Sequence, residues 1–395
     1  MSSHCAIVGM DLVAALGDGP DAVWARLLRG ECGIRPATRF PHGKYTTDVV
    51  GEVPAALLDA LRAETGADES SPAYAMAAAI AGRVARGVPG GQARLAGAHT
   101  GLVLATTKGE IGQLERLAAS PGGPVDPCHN VGALARDVAE ALDLSGPVLC
   151  VSNACVSGLV AIVQAARLLH RGDAELMLVV GVDVLADFML AGFSAFNALS
   201  PTPCRPYDAA RDGLSLGEGA GSLLLCLEPR PDDPVLGEVG GWGITNDACH
   251  ITAPSRTGEG LAAAIRAALG AAGLRADQVD YINGHGTATV YNDAMEARAI
   301  HAVFGDDMPP LASVKGTLGH TLGAAGVLEA ALSLVAMRER TVPASIGLET
   351  LGVGVPLRVL REPLELPRLD HVVSIKSGFG GVNAALVLRR GAGSR

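Results

Sequence analysis

Apolar runs typical of buried strands alternate with helix-like patterns over most of this 395-residue chain. This alternation predicts an α/β architecture. The clearest unit has a strand at 147–151, a helix at 156–171 and a second strand at 176–180. Because the helix is apolar on nearly all sides, we expect it to lie at the centre of the molecule rather than on its surface.

The same alternation returns in the second half of the chain, after the connection PRPDDP at 229–234. We therefore predict two units, residues 1–230 and 231–395. The elements predicted for the second unit are a helix at 259–272, a strand at 279–282, a helix from about Asn292, a strand at 311–314, a helix ending near Arg338 and a strand pair around SGFGG. Asp293 and Glu296 have the spacing of a helix capping box.

Charge and hydropathy exclude several classes of protein. The net charge is −10 and no block of Lys or Arg stands out, which argues against nucleic-acid binding. The longest apolar stretch, LMLVVGVDVLADFMLAGF, contains Asp183 and Asp187, whose carboxylates would be costly in lipid. The N-terminus lacks a signal-peptide pattern, so we expect a soluble cytoplasmic protein with no membrane segment. The eight cysteines include no CxxC pair, which argues against a zinc site and predicts free thiols.

Four turn motifs follow predicted strands, namely VSNAC, NGHGTAT, SVKGTLGH and KSGFGG. Loops at the carboxyl ends of strands are where α/β proteins form their sites. If these turns converge, the groups brought together are Cys155, His285, Lys315, His320 and the backbone of Phe379. Cys155 would lie at the N-terminus of a helix, whose partial positive charge favours a thiolate and predicts a lowered thiol pKa.

Each motif alone has a simpler interpretation. A single cysteine in an apolar chain is usually a small buried hydrophobic residue. A histidine in a Gly-rich turn more often bonds a nearby backbone group than it catalyses a reaction. The run GEGAG at 217–221 lacks the preceding strand and the following lysine of a phosphate-binding loop, so we interpret it as a place of close backbone packing.

Taken together and in this order, five segments resemble the β-ketoacyl synthase family of the thiolase fold. They are VSNACVSG, RPYDAARDGLSLGEGAG, NGHGTATVYND, SVKGTLGHTLGAAG and SGFGGVNAAL. The resemblance extends over nearly the whole chain, from CAIVGMDLVAALG to the last predicted strand. It implies a five-layered αβαβα fold, with two halves related by a pseudo-twofold axis, and a dimer.

The resemblance also implies a decarboxylative Claisen condensation. Cys155 would accept an acyl chain from a carrier-protein thioester. A malonyl thioester would lose CO2, and its enolate would attack the acyl group on Cys155. His285 and His320 would hold the malonyl thioester carbonyl, while Lys315 would fix His320 electrostatically, with Glu329 as its buried partner.

The remaining implied roles concern substrate binding. Thr287 and Thr289 would hydrogen-bond the pantetheine arm, and the N–H groups of Cys155 and Phe379 would form an oxyanion hole. The Phe379 ring would also gate the acyl pocket. The other implied substrate-binding residues are Ser377, Gly378, Gly380 and Lys108. No metal and no bound cofactor are expected, because the phosphopantetheine arrives on the acyl carrier protein.

The chain departs from many family members at several positions. Ser377 stands where many have a second Phe, which makes the pocket roomier or more polar. Lys108, with Glu110 nearby, falls about where elongating fatty-acid synthases have an apolar pocket floor, and a charge beside a saturated tail would be penalised. The acidic segment ADESSPA (67–73) and Asn197 stand where relatives often have basic residues that dock acidic carrier proteins.

These departures, with the VSNAC and TTKGE segments, make the chain look more like synthases of aryl-polyene and related polyene pathways. Several of those work as heterodimers with a cysteine-less chain-length partner. The expected partners are therefore the acyl carrier protein and either a second copy of the chain or a chain-length subunit. Three alternatives are a saturated fatty-acid elongating synthase, a degradative thiolase and a non-catalytic chain-length partner. The SGFGG turn lacks the second cysteine of a thiolase, and the presence of the nucleophile argues against the non-catalytic subunit.

Overall fold

The computed structural model describes residues 4–119 and 130–391 of the chain, so Cys128 lies outside the described residues. The strands are β1 (Cys5–Ala14), β2 (Gly17–Asp18), β3 (Arg35–Pro36), β4 (Val49–Val50), β5 (Thr100–Ala105), β6 (Val148–Val151), β7 (Leu176–Asp183), β8 (Gly219–Cys226), β9 (Gly237–Asn246), β10 (Tyr281–Asn283), β11 (Leu311–Ala312), β12 (Thr341–Val342), β13 (Leu364–Glu365), β14 (His371–Gly378) and β15 (Val382–Arg389).

The α-helices of the described residues are α1 (Pro20–Leu28), α2 (Ala55–Thr65), α3 (Pro72–Gly87), α4 (Gly91–Gly97), α5 (Ile111–Ala119), α6 (Val131–Ala141), α7 (Ser157–Arg171), α8 (Asp187–Ala195), α9 (Glu259–Ala272), α10 (Val290–Phe304), α11 (Lys315–Leu318) and α12 (Ala325–Glu339). Short 3-10 helices cover Ala276–Gln278 and Leu322–Ala324. None of the helices that the structure describes is both long and apolar enough to cross a membrane.

Eleven strands form one continuous sheet, in the order β11-β10-β14-β15-β9-β1-β8-β7-β5-β6, with β2 added to β1. The first half of the chain supplies β1, β5, β6, β7 and β8, and the second half supplies β9, β10, β11, β14 and β15. When the strands of each half are numbered in chain order, both halves have the same spatial order from the edge of the sheet to its centre, namely third, second, fourth, fifth and first. The third, second and fourth strands pair in parallel, and the fifth pairs antiparallel with the fourth and the first. The two halves are therefore built alike, as a pseudo-twofold axis requires.

The two sides of the sheet meet where β1 pairs antiparallel with β9, with Ala6 opposite Glu238. The chain passes from the first side to the second through the connection 227–236, between β8 and β9. The predicted boundary at 230 and 231 falls in this connection and, as a domain limit, stays a prediction.

Three buried apolar clusters separate the layers of the molecule. One cluster lies between the strands of the first half and the strands of the second half. It contains residues of α7 and α12, among them Leu159 and Leu328. A second packs α3 and α6 against the outer face of the first side. A third packs α9 and α10 against the outer face of the second side. The layers therefore run α, β, α, β, α, and the predicted central position of α7 is confirmed.

The central helices α7 and α12 touch through two glycines. A β-carbon added at Gly158 would lie 2.7 Å from the Cα of Gly326, closer than real β-carbons approach other atoms. The helices therefore meet at backbone distance. Cys155 lies shortly before Gly158 in the chain, and His320 lies shortly before Gly326. This contact thus fixes how far apart the two halves hold their functional side chains.

The GEGAG run leads into β8, and its interpretation as close backbone packing is confirmed. A β-carbon at Gly221 would lie 2.7 Å from the backbone nitrogen of Leu328 in α12. The Glu218 carboxylate is buried and accepts hydrogen bonds from the N–H groups of Val53 at 2.8 Å and Leu185 at 3.0 Å. The segment therefore joins the sheet to α12 and to neighbouring loops.

The predicted capping box at Asp293 and Glu296 is wrong. Helix α10 begins at Val290, and its N-cap residue Thr289 makes no side-chain capping bond. Both carboxylates are buried and accept backbone N–H groups from the turn NGHGTAT instead. Glu296 takes those of residues 285 and 286, and Asp293 takes that of residue 288. A buried carboxylate requires such partners, and they hold the turn in place over the helix.

Candidate active site

Cys155 lies in the tight turn between β6 and α7. Ala154 adopts a positive φ of 47°. The Ser157 hydroxyl donates to the Ala154 carbonyl at 2.6 Å and accepts the Asn153 N–H at 2.7 Å. These bonds close the turn, and they leave the Cys155 side chain bordering a cavity at the start of α7.

All four predicted turns reach this cavity, which has a volume of about 380 Å³. Cys155, His285, His320 and Phe379 line it, one from each turn. The predicted convergence of the turns is therefore confirmed. Lys315 belongs to the same constellation but is buried below the cavity, with 1% of its surface exposed.

The His320 imidazole lies against the cysteine sulfur. Its Nε2 lies 3.0 Å from Cys155 Sγ. The backbone N–H of Leu322 donates to Nδ1 of the same ring at 3.2 Å. Because Nδ1 accepts this bond, the neutral ring carries its proton on Nε2, where the N–H points toward the sulfur.

His285 stands edge-on to His320, with 5.3 Å between the ring centroids and 82° between the ring planes. Burial, followed by the positive charge of Lys315, holds the pKa of both imidazoles well below the usual value. Both rings are therefore neutral near pH 7. Two neutral rings beside a thiol suit the stabilisation of an oxygen that becomes negative during a reaction.

A buried cluster of two lysines and one glutamate supports the histidines. Lys315 Nζ lies 2.6 Å from Glu329 Oε1, which confirms the expected ion pair. Lys376 Nζ lies 2.8 Å from the other carboxylate oxygen of Glu329. The sequence analysis did not identify Lys376 as a residue of the site. Burial acts to raise the pKa of Glu329, but the two ammonium groups outweigh it and the pKa falls below its usual value. The carboxylate is thus ionised between two cations.

The predicted lowering of the Cys155 pKa is wrong for this structure. Burial raises the pKa of the thiol to about 12, with Lys315 opposing the rise and Asp183 adding to it. Removing a thiolate from water therefore costs more than the positive end of α7 recovers. Cys155 is a thiol at rest, and its thiolate depends on hydrogen-bond donors within the site.

The Phe379 ring closes one side of the cavity within an aromatic cluster. It stacks on Phe193 at 5.9 Å between centroids and meets Phe196 edge-on at 6.0 Å. The adjoining Gly380 has a φ of 87°, which only glycine adopts freely. Gly378 precedes Phe379 in the chain, and a β-carbon added there would lie 3.2 Å from the Cys155 nitrogen. The gate turn is therefore packed directly against the nucleophile turn.

Several predicted substrate-binding residues border the cavity. Thr287 and Thr289 line it, and their hydroxyl oxygens lie 3.0 Å apart. Ser377 also lines it, and its hydroxyl donates to Asn383 Oδ1 at 2.7 Å. Asn197 lines the same cavity and is exposed. Polar side chains therefore share the cavity lining with the aromatic cluster.

Two predicted binding residues lie elsewhere. Gly380 is not among the residues that line the cavity, and a β-carbon added there would have no neighbour within 4 Å. Lys108 is also absent from the lining, and its Nζ lies 5.8 Å from the Phe188 ring centroid. The structure therefore does not place the Lys108 charge in the cavity that holds Cys155.

The acidic segment 67–73 borders a different cavity. Asp68 and Glu110 line this second space of about 310 Å³, next to the start of α3. Glu110 Oε1 accepts the N–H of Tyr74 at 2.6 Å, and burial raises the pKa of this carboxyl to about 7. Glu110 therefore serves the first turn of α3.

Asp183 is a second buried residue whose role the sequence reading missed. Its carboxylate accepts the Thr106 hydroxyl at 2.9 Å, the Thr107 N–H at 3.0 Å and the Gly323 N–H at 2.6 Å. It thereby joins the end of β5 to the turn before α12. The signal was an acidic residue inside an apolar strand, where a carboxylate requires partners.

One group of side chains within the described residues could share a metal ion. Ligand atoms of Cys155, His285 and His320 all lie within 4.8 Å of one another. Zinc sites use such sulfur and nitrogen donors. The same closeness would equally allow a reaction at the sulfur in which the imidazoles donate hydrogen bonds.

Comparison with known proteins decides the class of this site. Residues 2–229 match the family model "Beta-ketoacyl synthase, N-terminal domain", and residues 236–349 match "Beta-ketoacyl synthase, C-terminal domain". The chain is 34% identical over 408 residues to 3-oxoacyl-[acyl-carrier-protein] synthase 2 of Coxiella burnetii, with 97% of this chain and 98% of the relative covered. The chain belongs to the β-ketoacyl synthase family. It is therefore an acyltransferase of the condensing-enzyme class.

Solved ketosynthases are similar to this synthase over its whole length. "The ishigamide ketosynthase/chain length factor" has a TM-score of 0.90 and 30% identity, covering 98% of this chain and 99% of that one. The ketosynthase ApeO of Xenorhabdus doucetiae, solved in complex with its chain length factor ApeC, has a TM-score of 0.85 and 30% identity, covering 98% of both chains. These similarities confirm the predicted thiolase-like fold.

Proposed function

We propose that this synthase condenses an acyl group on Cys155 with a malonyl thioester of the acyl carrier protein, in the elongation of a polyene or polyketide chain. The products are a 3-oxoacyl thioester and CO2. The observation that carries the proposal is the meeting of Cys155, His285 and His320 in one cavity, with 3.0 Å between Cys155 Sγ and His320 Nε2. The proposed reaction uses no metal and no bound cofactor.

The first proposed step transfers the acyl group to Cys155. Sγ bonds to the thioester carbonyl carbon, the carbon–sulfur bond to the carrier breaks, and the thiol proton passes to the departing carrier sulfur. One thiol replaces another, so the raised pKa of Cys155 does not oppose the overall transfer. The Nε2–H of His320 faces the charge that forms on sulfur during the step.

The second proposed step forms the new carbon–carbon bond. The bond to the malonyl carboxylate breaks, CO2 leaves, and the electron pair enters an enolate whose oxygen accepts hydrogen bonds from His285 and His320. The enolate carbon then attacks the acyl carbonyl carbon, the bond to Cys155 Sγ breaks, and the sulfur takes up a proton from solvent. Donors placed before the charge appears stabilise this transition state most effectively.

The close packing of the gate turn supports an oxyanion hole made by the N–H groups of Cys155 and Phe379. A β-carbon added at Gly378 would lie 3.2 Å from the Cys155 nitrogen, so the two peptide segments are close enough for both N–H groups to reach one carbonyl oxygen in the proposed reaction. Loss of one such donor typically lowers the rate by about 10²–10³. A side chain at position 378 would push the two segments apart.

The proposal includes two partners, the acyl carrier protein and a second synthase-like subunit. Two structural neighbours at 30% identity are ketosynthases described together with a chain length factor, which supports a heterodimer. Because Cys155 is present, this chain would be the catalytic subunit. A homodimer is the alternative assembly.

Elongation of saturated fatty acids is a second candidate function. It is favoured by the curated relatives, among them 3-oxoacyl-[acyl-carrier-protein] synthase 2 of Coxiella burnetii and of Rhizobium meliloti, each 34% identical to this chain. The position of Lys108 outside the cavity lining also weakens the argument that its charge opposes a saturated tail.

Intact mass after incubation with acyl-carrier thioesters, without malonyl donor, tests the proposal. We expect an acyl adduct on wild type and on Cys249→Ala, whose cysteine is exposed, and none on Cys155→Ala. Faster loading of conjugated than of saturated donors would support polyene elongation, and the reverse would support the second candidate. An equal adduct on Cys155→Ala, or no adduct on wild type even with a co-purified partner, would contradict the proposal.

A further inference from the structure

Lys376 is a buried cation that the proposed chemistry does not yet use. It lies in β14, two residues before Gly378, and its side chain is fully buried. Its Nζ lies 2.8 Å from Glu329 Oε2 and donates to Asn283 Oδ1 at 2.9 Å and to the Ile375 carbonyl at 2.9 Å. A lysine is almost never fully buried without such partners.

The cluster around Lys376 contains more positive than negative charge. Lys315 and Lys376 share one carboxylate, that of Glu329, so the three groups together carry one excess positive charge. The titratable groups that surround Lys376 from other elements are Glu329 of α12, Lys315 of α11, Glu296 of α10, Tyr281 of β10, and the imidazoles of His285 and His320. Burial raises the pKa of Glu296 to about 7, so this carboxyl only partly offsets the excess.

An excess charge in this position is costly and requires an explanation. One lysine would suffice to neutralise Glu329, and burial of a second ammonium carries a desolvation penalty. Burial is the main cause of the low pKa of both imidazoles, and the charges of Lys315 and then Lys376 lower it further, so Lys376 acts on the site beyond its own hydrogen bonds. A positive charge below two N–H donors favours an anion held on their other side.

We propose that Lys376 is a positioning residue for catalysis, whose positive charge, held in the buried cluster with Glu329 and Lys315, stabilises the enolate oxygen that His285 and His320 hold. It acts through Glu329 and the imidazoles and does not touch the substrate. The inference rests on the proposed function, because the enolate belongs to it. The ligand that this charge favours is an anionic thioester species, the malonyl carboxylate or the enolate derived from it.

The charge of Lys376 gives the proposal a pH signature. Burial lowers the pKa of Lys376 to about 8, with Glu329 opposing the shift and Lys315 adding to it. The charge is present below about pH 8 and is lost as the pH rises through that value. Any rate advantage due to the charge should therefore be largest below pH 8 and fade above it, whereas a purely structural role would be independent of pH.

The test compares Lys376→Met with the matched surface variant Lys44→Met, in a Cys155→Gln background whose amide resembles an acylated sulfur. We measure CO2 release from malonyl-carrier protein between about pH 6 and about pH 9. We expect Lys376→Met to lower the rate roughly tenfold at pH 7, with the ratio to the parent approaching one above pH 8. Lys44, which is exposed beside Asp187, should have no such effect.

A fold control and a second readout keep the outcomes separate. Lys376→Met leaves Glu329 paired with Lys315, so its thermal unfolding should match that of the parent. A rate within twofold of the parent, or a loss that does not change with pH, would overturn the inference. If Cys155→Gln alone releases no CO2, the proposed function fails. In that case alkylation by iodoacetamide at pH 7, in protein that retains Cys155, still tests the charge, because equal rates with and without Lys376→Met would overturn its role in the site.

Discussion

The ends of β6 and β11 occupy equivalent places in the two halves of the molecule but carry different chemistry. After β6 a short turn leads directly into α7, and it presents Cys155 to the cavity. After β11 the chain forms α11 and a 3-10 helix before α12, and this longer passage buries Lys315 and His320. The same topology thus supplies one reactive group at a cavity wall and one charged cluster within the core.

The comparison predicts that Cys155 matters for activity and little for folding. We expect Cys155→Ala to lower condensation by more than about 10³-fold, because the nucleophile is removed. The melting temperature should stay within about 2 °C of wild type, since the side chain borders a cavity rather than filling the core. Mass spectrometry of 3-oxoacyl product and thermal unfolding measure the two effects. A large fall in melting temperature would show that Cys155 also supports folding, and the contrast between the two halves would fail.

Glu329, in contrast to Cys155, should have a large effect on folding. Glu329→Gln leaves two buried lysines without a carboxylate, so we expect it to lower the free energy of unfolding by about 3–5 kcal/mol at pH 7. The pKa of Glu329 is lowered in the fold, so its contribution is present above the unfolded value of about 4.3 and is lost as the pH falls through the folded value. The deficit of the variant should therefore shrink at acidic pH.

Urea unfolding at pH 7 and at about pH 3, which lies well below the unfolded value, measures this effect. Glu228→Gln is the matched control, because Glu228 is exposed and the change should stay within about 0.5 kcal/mol. A deficit for Glu329→Gln no larger than that of the control would mean that the charged cluster does not support folding.

The glycine contact between the halves should give an intermediate effect. Gly326→Ala places a methyl group against the backbone of α7, and we expect it to cost about 1–3 kcal/mol of stability. Gly270→Ala is the control in α9, where nothing lies near the added carbon; it should stabilise the helix by about 0.5–1 kcal/mol. Gly326→Ala should also slow condensation, because it changes the separation of Cys155 and His320. Equal unfolding free energies for the two variants would show that the contact between the glycines does not constrain the packing of α7 and α12.

Lys108 should give the smallest effect. Lys108→Ile would shift the enzyme toward saturated donors if the side chain lined the acyl pocket, but the structure places its ammonium beside Phe188 and outside the cavity lining. We therefore expect the rates with saturated and conjugated acyl donors to keep their ratio within about twofold. A change of tenfold or more in that ratio would show that Lys108 contacts the acyl chain.

Local patterns predicted the elements around the site well. Helix α7, predicted at 156–171, covers Ser157–Arg171, and the predicted helix 259–272 coincides with Glu259–Ala272. Both helices end at a glycine with positive φ, Gly172 and Gly273, a stop signal that is readable in the sequence. The strand that begins at Tyr281 was predicted to begin two residues too early, because Val279 is the C-cap residue of the preceding 3-10 turn and not part of the strand.

The side-chain network was less predictable, because its partners are distant in the chain. Cys155, His285 and His320 could be proposed from turns that follow strands. Lys376 and Asp183 could not be paired from local pattern, since the groups that satisfy them come from other elements. A charged residue within an apolar strand was the available signal, and it indicates a buried partner without identifying it.

The meeting of Gly158 and Gly326 has a consequence for protein engineering. In a chimaera that exchanges the first half of this chain for that of a relative, α7 would come from one protein and α12 from the other, and their residues at the crossing would not be matched. Even with every reactive residue retained, a bulkier residue at either position would displace the sulfur from the imidazole that serves it. Recombination between such enzymes should therefore be designed around this pair of positions first, and around the reactive side chains second.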